Sequence, residues 1–206
     1  MVYAGDIERA FLEESLDSIP FEFNGDAVDF RFPNSDNGLH QFTFNEQSGR
    51  MVGVMGGSGV GKSTLLSILN GSQKPDGGVI TVNGLNLYGD KEKLEGVIGF
   101  VPQDDLLFED LTVSENLYFS AKLCLDNLDE NEISQRVEKT LNDLNQLGTK
   151  DLKVGTPLDK TISGGQRKRL NIALELIREP SILFVDEPTS GLSSADSENV
   201  MSLLKA

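Results

Sequence analysis

The stretch that decides the fold is MVGVMGGSGVGKSTLLSILNG, residues 51–71. Its first five residues are apolar or glycine, and a short apolar run ending in glycines predicts a strand over 51–55. From Gly56 to Thr64 the residues GGSGVGKST fit the pattern G-x-x-x-x-G-K-[ST], and a helix is predicted to follow over about 62–70. Strand, glycine loop and helix, in that order, let backbone N–H groups converge on an anion. Glycines carry no Cβ to obstruct that approach, and the helix N-terminus adds partial positive charge. Lys62 is then placed to neutralise the β- and γ-phosphates of a nucleotide, and the Ser63 hydroxyl to bind Mg²⁺. The competing reading is a chance glycine-rich turn, which would not need a strand before it and a helix after it.

Outward from this loop the pattern alternates between sheet and helix. Upstream, Val28, Phe30 and Phe32 recur at period two, as do Phe42 and Phe44, between the turn-rich segments PNSDNG and EQSG. Residues 6–18, DIERAFLEESLDS, read as a short amphipathic helix stopped by Pro20. Downstream come two strands, VITVNG and VIGFV (97–101), and then a helical region from 106 to about 150. Thr112 and Glu115 form a capping-box signature. Ile133, Val137, Leu141, Leu144 and Leu147 mark one face of a helix that Gly148 is expected to close. A third helix, RKRLNIALELIRE, ends at Pro180; SILFVDEP reads as a buried strand and DSENVMSLLKA as a last helix. The chain is therefore expected to be α/β.

Composition excludes several classes of function. The 206 residues carry 18 Lys+Arg against 33 Asp+Glu, a net charge of −15, which suits neither nucleic acid nor an anionic membrane surface. An anionic ligand must then be held by local geometry. The single cysteine, Cys124, excludes an intrachain disulfide framework, and the single histidine, His40, excludes multi-histidine metal sites. No apolar run is long enough to span a bilayer, and MVYAGDIERAFLEES lacks the plan of a secretory signal. Cys124 is expected to pack in a helix, and His40 to be solvated at a strand edge. The acids of DNLDENE are expected to cap a helix, and the run Arg167-Lys168-Arg169 to form a helix face or border a γ-phosphate.

Two further segments carry chemistry. Ile182-Leu-Phe-Val-Asp186-Glu187-Pro188 is an apolar strand delivering two acids, with Asp186 placed to hold Mg²⁺ and Glu187 to polarise a water. Acids also end strands merely because water begins there. Ile162-Ser163-Gly164-Gly165-Gln166, just before a helix, is a second small-residue surface suited to phosphate, or else a flexible linker capped by Ser163.

In this order, the phosphate loop, Pro102-Gln103, Ser-Gly-Gly-Gln and Val-Asp-Glu-Pro-Thr-Ser-Gly-Leu resemble the nucleotide-binding domain of an ATP-binding cassette (ABC) ATPase, over residues 27–206. The segments VPQDDLLFEDLTVSENLYFSAKL and SGGQRKRLNIALELIREPSILFVDEPTSGL are most similar to the white/eye-pigment exporters and their bacterial relatives. The resemblance implies a P-loop NTPase fold of ABC type: a mixed-sheet core, an antiparallel β subdomain and an inserted helical subdomain at about 106–160. Residues 1–20 would be an amphipathic extension to a cassette covering 21–206. It also implies that ATP and Mg²⁺ are the ligands. Gly56, Gly57, Ser58, Gly59, Val60, Gly61, Lys62, Ser63 and Thr64 would hold the phosphates, and Ser63, Gln103 and Asp186 the metal. Glu187 would be the general base, assisted by Gln103, while Ser163, Gly164, Gly165 and Gln166 would face the nucleotide of a second subunit in a head-to-tail dimer. Phe32 would stack on adenine, or else be a core phenylalanine sharing a face with Phe30.

Two departures from the family pattern stand out. Ser193 occupies the place of the D-loop aspartate, and Asp196, about a turn further along, is not an obvious substitute. By the family pattern the switch histidine would fall on a strand beyond Ala206, so the chain is expected to be a cassette truncated at its C-terminal part, binding Mg-ATP and hydrolysing it weakly. The expected function is the ATP-hydrolysing motor of a membrane exporter, at the cytoplasmic face, with a transmembrane domain on the same polypeptide and no nucleic-acid partner. The alternatives are a non-transport ABC ATPase of DNA repair, chromosome structure or translation, and a regulatory nucleotide-binding module that does not turn over.

Overall fold

The computed structural model describes residues 21–35, 37–156 and 161–205. The helix expected at 6–18 lies outside the described residues. The chain divides into two compact units, one ending at Glu95 and one beginning at Gly96.

The first unit is built on an antiparallel sheet of order β2-β1-β3-β4, from β1 (Glu22–Arg31), β2 (Gly38–Gln47), β3 (Gly77–Val82) and β4 (Leu85–Asn86). In β1 the buried positions run Phe23, Gly25, then Val28, Phe30, so the inward phase switches from odd to even. The switch is a bulge: the register shifts between Gly25 and Val28, where Ala27 adopts φ 50°. Gly25 is required there because the Phe44 ring lies against its Cα where a Cβ would stand. Edge strand β2 carries His40, exposed as expected.

Helix α1 (Lys62–Leu69) follows the glycine loop as predicted. The strand expected at 51–55 does not form, and all five residues are exposed. A strand exists only through its ladder, and residues 51–55 have no ladder partner among the described residues. Apolar sequence alone could not supply one.

The second unit pairs β5 (Ile98–Val101) with β6 (Ile182–Val185) in parallel, from Ile98↔Ile182 to Val101↔Val185. Strand β6 is half-buried rather than buried as its apolar composition suggested. Helices α2 (Val113–Cys124), α3 (Glu130–Asp143) and α4 (Gly164–Leu176) enclose a core that includes Leu117, Ile133, Leu141, Leu170 and Ile177; α5 (Ser194–Leu203) follows β6. Capping boxes start α2 at Thr112/Glu115 and α3 at Asp129/Glu132, so the acids of DNLDENE do cap a helix. Helix α3 stops at Leu144, before Gly148, because Asn145 takes the left-handed conformation at φ 54°. Cys124, the last residue of α2, is exposed rather than packed, since the apolar face of the helix turns elsewhere.

A buried asparagine fixes the loop that enters α2. The Asn116 side chain accepts from Phe108 N at 2.8 Å and donates to the carbonyls of Phe108 and Thr112 at 3.0 and 2.9 Å. Asn116→Leu keeps the volume and strands those backbone groups. We expect a loss of about 1–3 kcal/mol in urea unfolding, with an unchanged m-value.

Candidate functional site

The phosphate-loop conformation depends on its glycines. Gly59 and Gly61 have φ of 78° and 98°, in the left-handed region that side chains with a Cβ disfavour. Gly61 is also the N-cap of α1 and offers no side-chain acceptor, so the first-turn amides are left for another acceptor. Lys62 folds back over the loop, its Nζ donating to Gly56 O at 3.0 Å and Gly57 O at 2.8 Å. Ser63 is exposed at the start of the helix. An uncapped helix terminus, an ammonium and a hydroxyl within three residues are the donor set a Mg-bound phosphate requires.

In the same unit Phe32 lies just past β1 and is 41 % exposed. Its ring meets Phe30 edge-on at 5.1 Å, and it lines an open hollow with Arg31, Pro33, Asn34, Ser35 and Asp76. Phe30 is buried and Phe32 is not, so sharing a face did not make Phe32 a core residue.

In the second unit the ends of β5 and β6 place two loops side by side. Gln103 is exposed two residues after Val101. Asp186 is 8 % exposed and donates its N–H to Val101 O at 2.9 Å, the last rung before the strands separate. Glu187 is exposed, with φ 44°. A left-handed glutamate costs about 1–2 kcal/mol, and strain of this kind collects at functional turns.

Ser163 and Gln166 satisfy each other at the start of α4. Gln166 N donates to Ser163 Oγ at 3.2 Å, and Ser163 N donates to Gln166 Oε1 at 2.7 Å. The helix therefore begins at Gly164, three residues before the predicted start, and Ser163 caps it as the alternative reading expected. Gly165 is buried with the Asp196 carboxylate against its Cα, so any larger residue there would displace it. Ser193 caps α5 and donates to Asp196 Oδ2 at 2.9 Å, while Arg169 Nη1 lies 3.6 Å from Asp196 Oδ1. Asp196 thus touches the Ser-Gly-Gly-Gln segment from a turn along α5, a contact its sequence position did not suggest.

The run 167–169 is not a solvated face. Arg167 and Lys168 are buried, at 6 % and 7 % exposure. Arg167 grips Asp105 with two bonds of 2.8 and 2.9 Å and donates to Gly155 O at 2.6 Å. The Asp105 hydrogen bond pushes the guanidinium pKa above its ordinary value, outweighing burial. Asp105 and Asn171 escaped the sequence reading, because their partners lie more than sixty residues away; Lys168, read only as part of a cationic run, bonds the carbonyls of Gln103 and Asp186.

For Mg²⁺ the sequence-predicted donors are one carboxylate, one hydroxyl and one amide; no group of three or more His, Cys, Asp or Glu suited to a metal occurs among the described residues. No helix among the described residues is long and apolar enough to cross a membrane.

A family model described as "ABC transporter" matches residues 39–190. The chain is similar to the "Probable ATP-dependent permease" of Saccharomyces cerevisiae, 42 % identical over 202 residues, covering 93 % of this chain and 19 % of the yeast protein. It is also 42 % identical to "ABC transporter G family member 23" of Arabidopsis thaliana, over 81 % of this chain and 27 % of that protein. The chain thus spans roughly a fifth to a quarter of the length of these relatives. Among solved structures it resembles cbiO1 from Clostridium perfringens, described as part of the ABC transporter complex cbiONQ. That match has 32 % identity and a TM-score of 0.78, and covers 89 % of this chain and 72 % of the other.

Proposed function

The chain belongs to the ABC transporter family, and on that premise we propose that it is the ATP-binding and ATP-hydrolysing motor domain of a membrane exporter of the white-like group. The observation that carries this reading is the phosphate loop: Gly61 left-handed and uncapped at the start of α1, with Lys62 laid across the loop carbonyls. ATP would supply the phosphoanhydride bond and Mg²⁺ the neutralising charge. The amides of residues 57–62 would orient the phosphates and Lys62 would balance their charge, while the Ser63 hydroxyl, the Gln103 amide and the Asp186 carboxylate would hold the ion. Gln103 orients the attacking water and Glu187 takes its proton. Phe32, exposed beside an open hollow, offers a ring face to adenine.

Ser163, Gly164, Gly165 and Gln166 form the surface proposed to meet the nucleotide of a second copy or a related subunit. Ser163 Oγ can turn toward a phosphate while Gln166 holds its backbone. Light scattering tests this directly. Mg-ATP, with hydrolysis blocked, should roughly double the mass of the particle, and Ser163→Arg should prevent it by placing bulk and length at the contact. Association that survives Ser163→Arg removes the cross-subunit role. The permease and transporter relatives are several times longer than this chain, and we assign a membrane-spanning part to the same full-length polypeptide, outside residues 1–206, with this domain at the cytoplasmic face of the membrane.

A further inference from the structure

Lys168 is a buried cation whose hydrogen-bond partners among the described residues all belong to the two loops proposed to do the chemistry. It lies in the second turn of α4 at 7 % exposure. Its Nζ is 3.3 Å from Pro102 O, 3.4 Å from Gln103 O and 3.4 Å from Asp186 O. An ammonium has three donors and no acceptor, so three carbonyls match it fully. Those carbonyls lie where the parallel pair β5–β6 ends: Asp186 N bonds Val101 O, and beyond that rung the two chains diverge. The ammonium stands in the divergence and ties both chains to one helix.

The same face of α4 holds the first loop at two further points. Arg167 takes the Asp105 carboxylate, and Asn171 reaches Pro102 O and Leu106 N, each at 3.5 Å. The backbone around Gln103 is thereby clamped on both sides while its side chain faces outward. On the other loop, Asp186 O belongs to the peptide unit that precedes the strained Glu187. Fixing that carbonyl fixes the peptide plane from which Glu187 turns to φ 44°. Burial pushes the ammonium pKa below the ordinary lysine value, against the pull of Asp186, Asp105, Glu187 and Asp104. Such a group is retained at a cost that an apolar residue would not carry.

We propose that Lys168 is a positioning residue for hydrolysis: by holding the carbonyls of Pro102, Gln103 and Asp186 it sets the placement of Gln103 and Glu187, and it touches no nucleotide itself. This rests on the roles assigned above to those two residues. The clamp can be read without any nucleotide, by hydrogen exchange in the peptide 102–107 of the intact protein. Lys168→Met should raise exchange there by about tenfold or more, while exchange in α1 stays unchanged. Unchanged protection at 102–107 overturns the clamp, whatever happens to turnover.

Turnover then tests the consequence. In the intact protein, Lys168→Met should lower kcat for Mg-ATP by about twentyfold or more and leave the dissociation constant of a fluorescent ATP analogue within about twofold. Lys168→Gln, which keeps a donor without the charge, should recover part of the lost rate. A merely structural lysine would instead degrade rate and affinity together, or leave kcat within about threefold of the parent; either result overturns the proposal. If Lys168→Met does not fold, Lys168→Gln decides by the same split, a loss of about threefold or more in kcat at constant affinity supporting it. A parent protein whose turnover survives Lys62→Ala would refute the nucleotide reading instead, leaving the exchange experiment to judge the clamp.

Discussion

Glu187→Gln should lower Mg-ATP hydrolysis by about two to three orders of magnitude while nucleotide affinity stays within about twofold. The two side chains have the same shape, so the exposed, left-handed turn at φ 44° can keep its geometry. What changes is proton affinity: a carboxylate accepts the proton of an attacking water at neutral pH, and an amide does not. The remaining donors would still stabilise charge on the transferring group, which is why a residual rate is expected. Single-turnover kinetics with excess protein separates this from slow product release. A rate within about threefold of the parent removes Glu187 as the base.

Lys62→Ala should act on the other axis, weakening Mg-ATP binding by about a hundredfold or more, equivalent to about 3 kcal/mol. Lys62 is the charged donor of the loop, and its ammonium already sits over the carbonyls of Gly56 and Gly57, ready to exchange them for phosphate oxygens. Its removal leaves the amides but no neutralising charge, in a chain whose net charge is −15. The loop conformation depends on Gly59 and Gly61 rather than on the lysine, so the thermal midpoint of the free protein should move little. Isothermal calorimetry measures the difference, and affinity within about threefold of the parent removes the phosphate assignment. Together the two variants separate binding from chemistry, since one should spare affinity and the other should not.

Much of the architecture was legible residue by residue where its cause is local. Thr112 with Glu115 marks its own helix start because the capping box spans only four residues. Gly61 is required by the conformation of Gly61 itself. Where the cause is distant the reading failed. Residues 51–55 look like a strand and find no ladder among the described residues. Gly148 looked like a helix stop, but Asn145 ended the helix first, because asparagine also tolerates the left-handed turn.

The sequence by itself determined that this chain carries a phosphate loop, a Ser-Gly-Gly-Gln segment before a helix and a strand ending in Asp186-Glu187, in the order of an ABC cassette. Each is a short run whose backbone geometry depends on its own glycines, caps and acids. Only the tertiary structure decided what Arg167, Lys168 and Arg169 do. In the sequence they are three consecutive cations in an acidic chain. In the fold, Arg167 is held by Asp105, sixty-two positions away, Lys168 by the carbonyls of Gln103 and Asp186, and Arg169 lies near Asp196. Whether a basic residue faces water or is buried against a loop depends on which carboxylates and carbonyls the chain brings back to it, and no local pattern records that return.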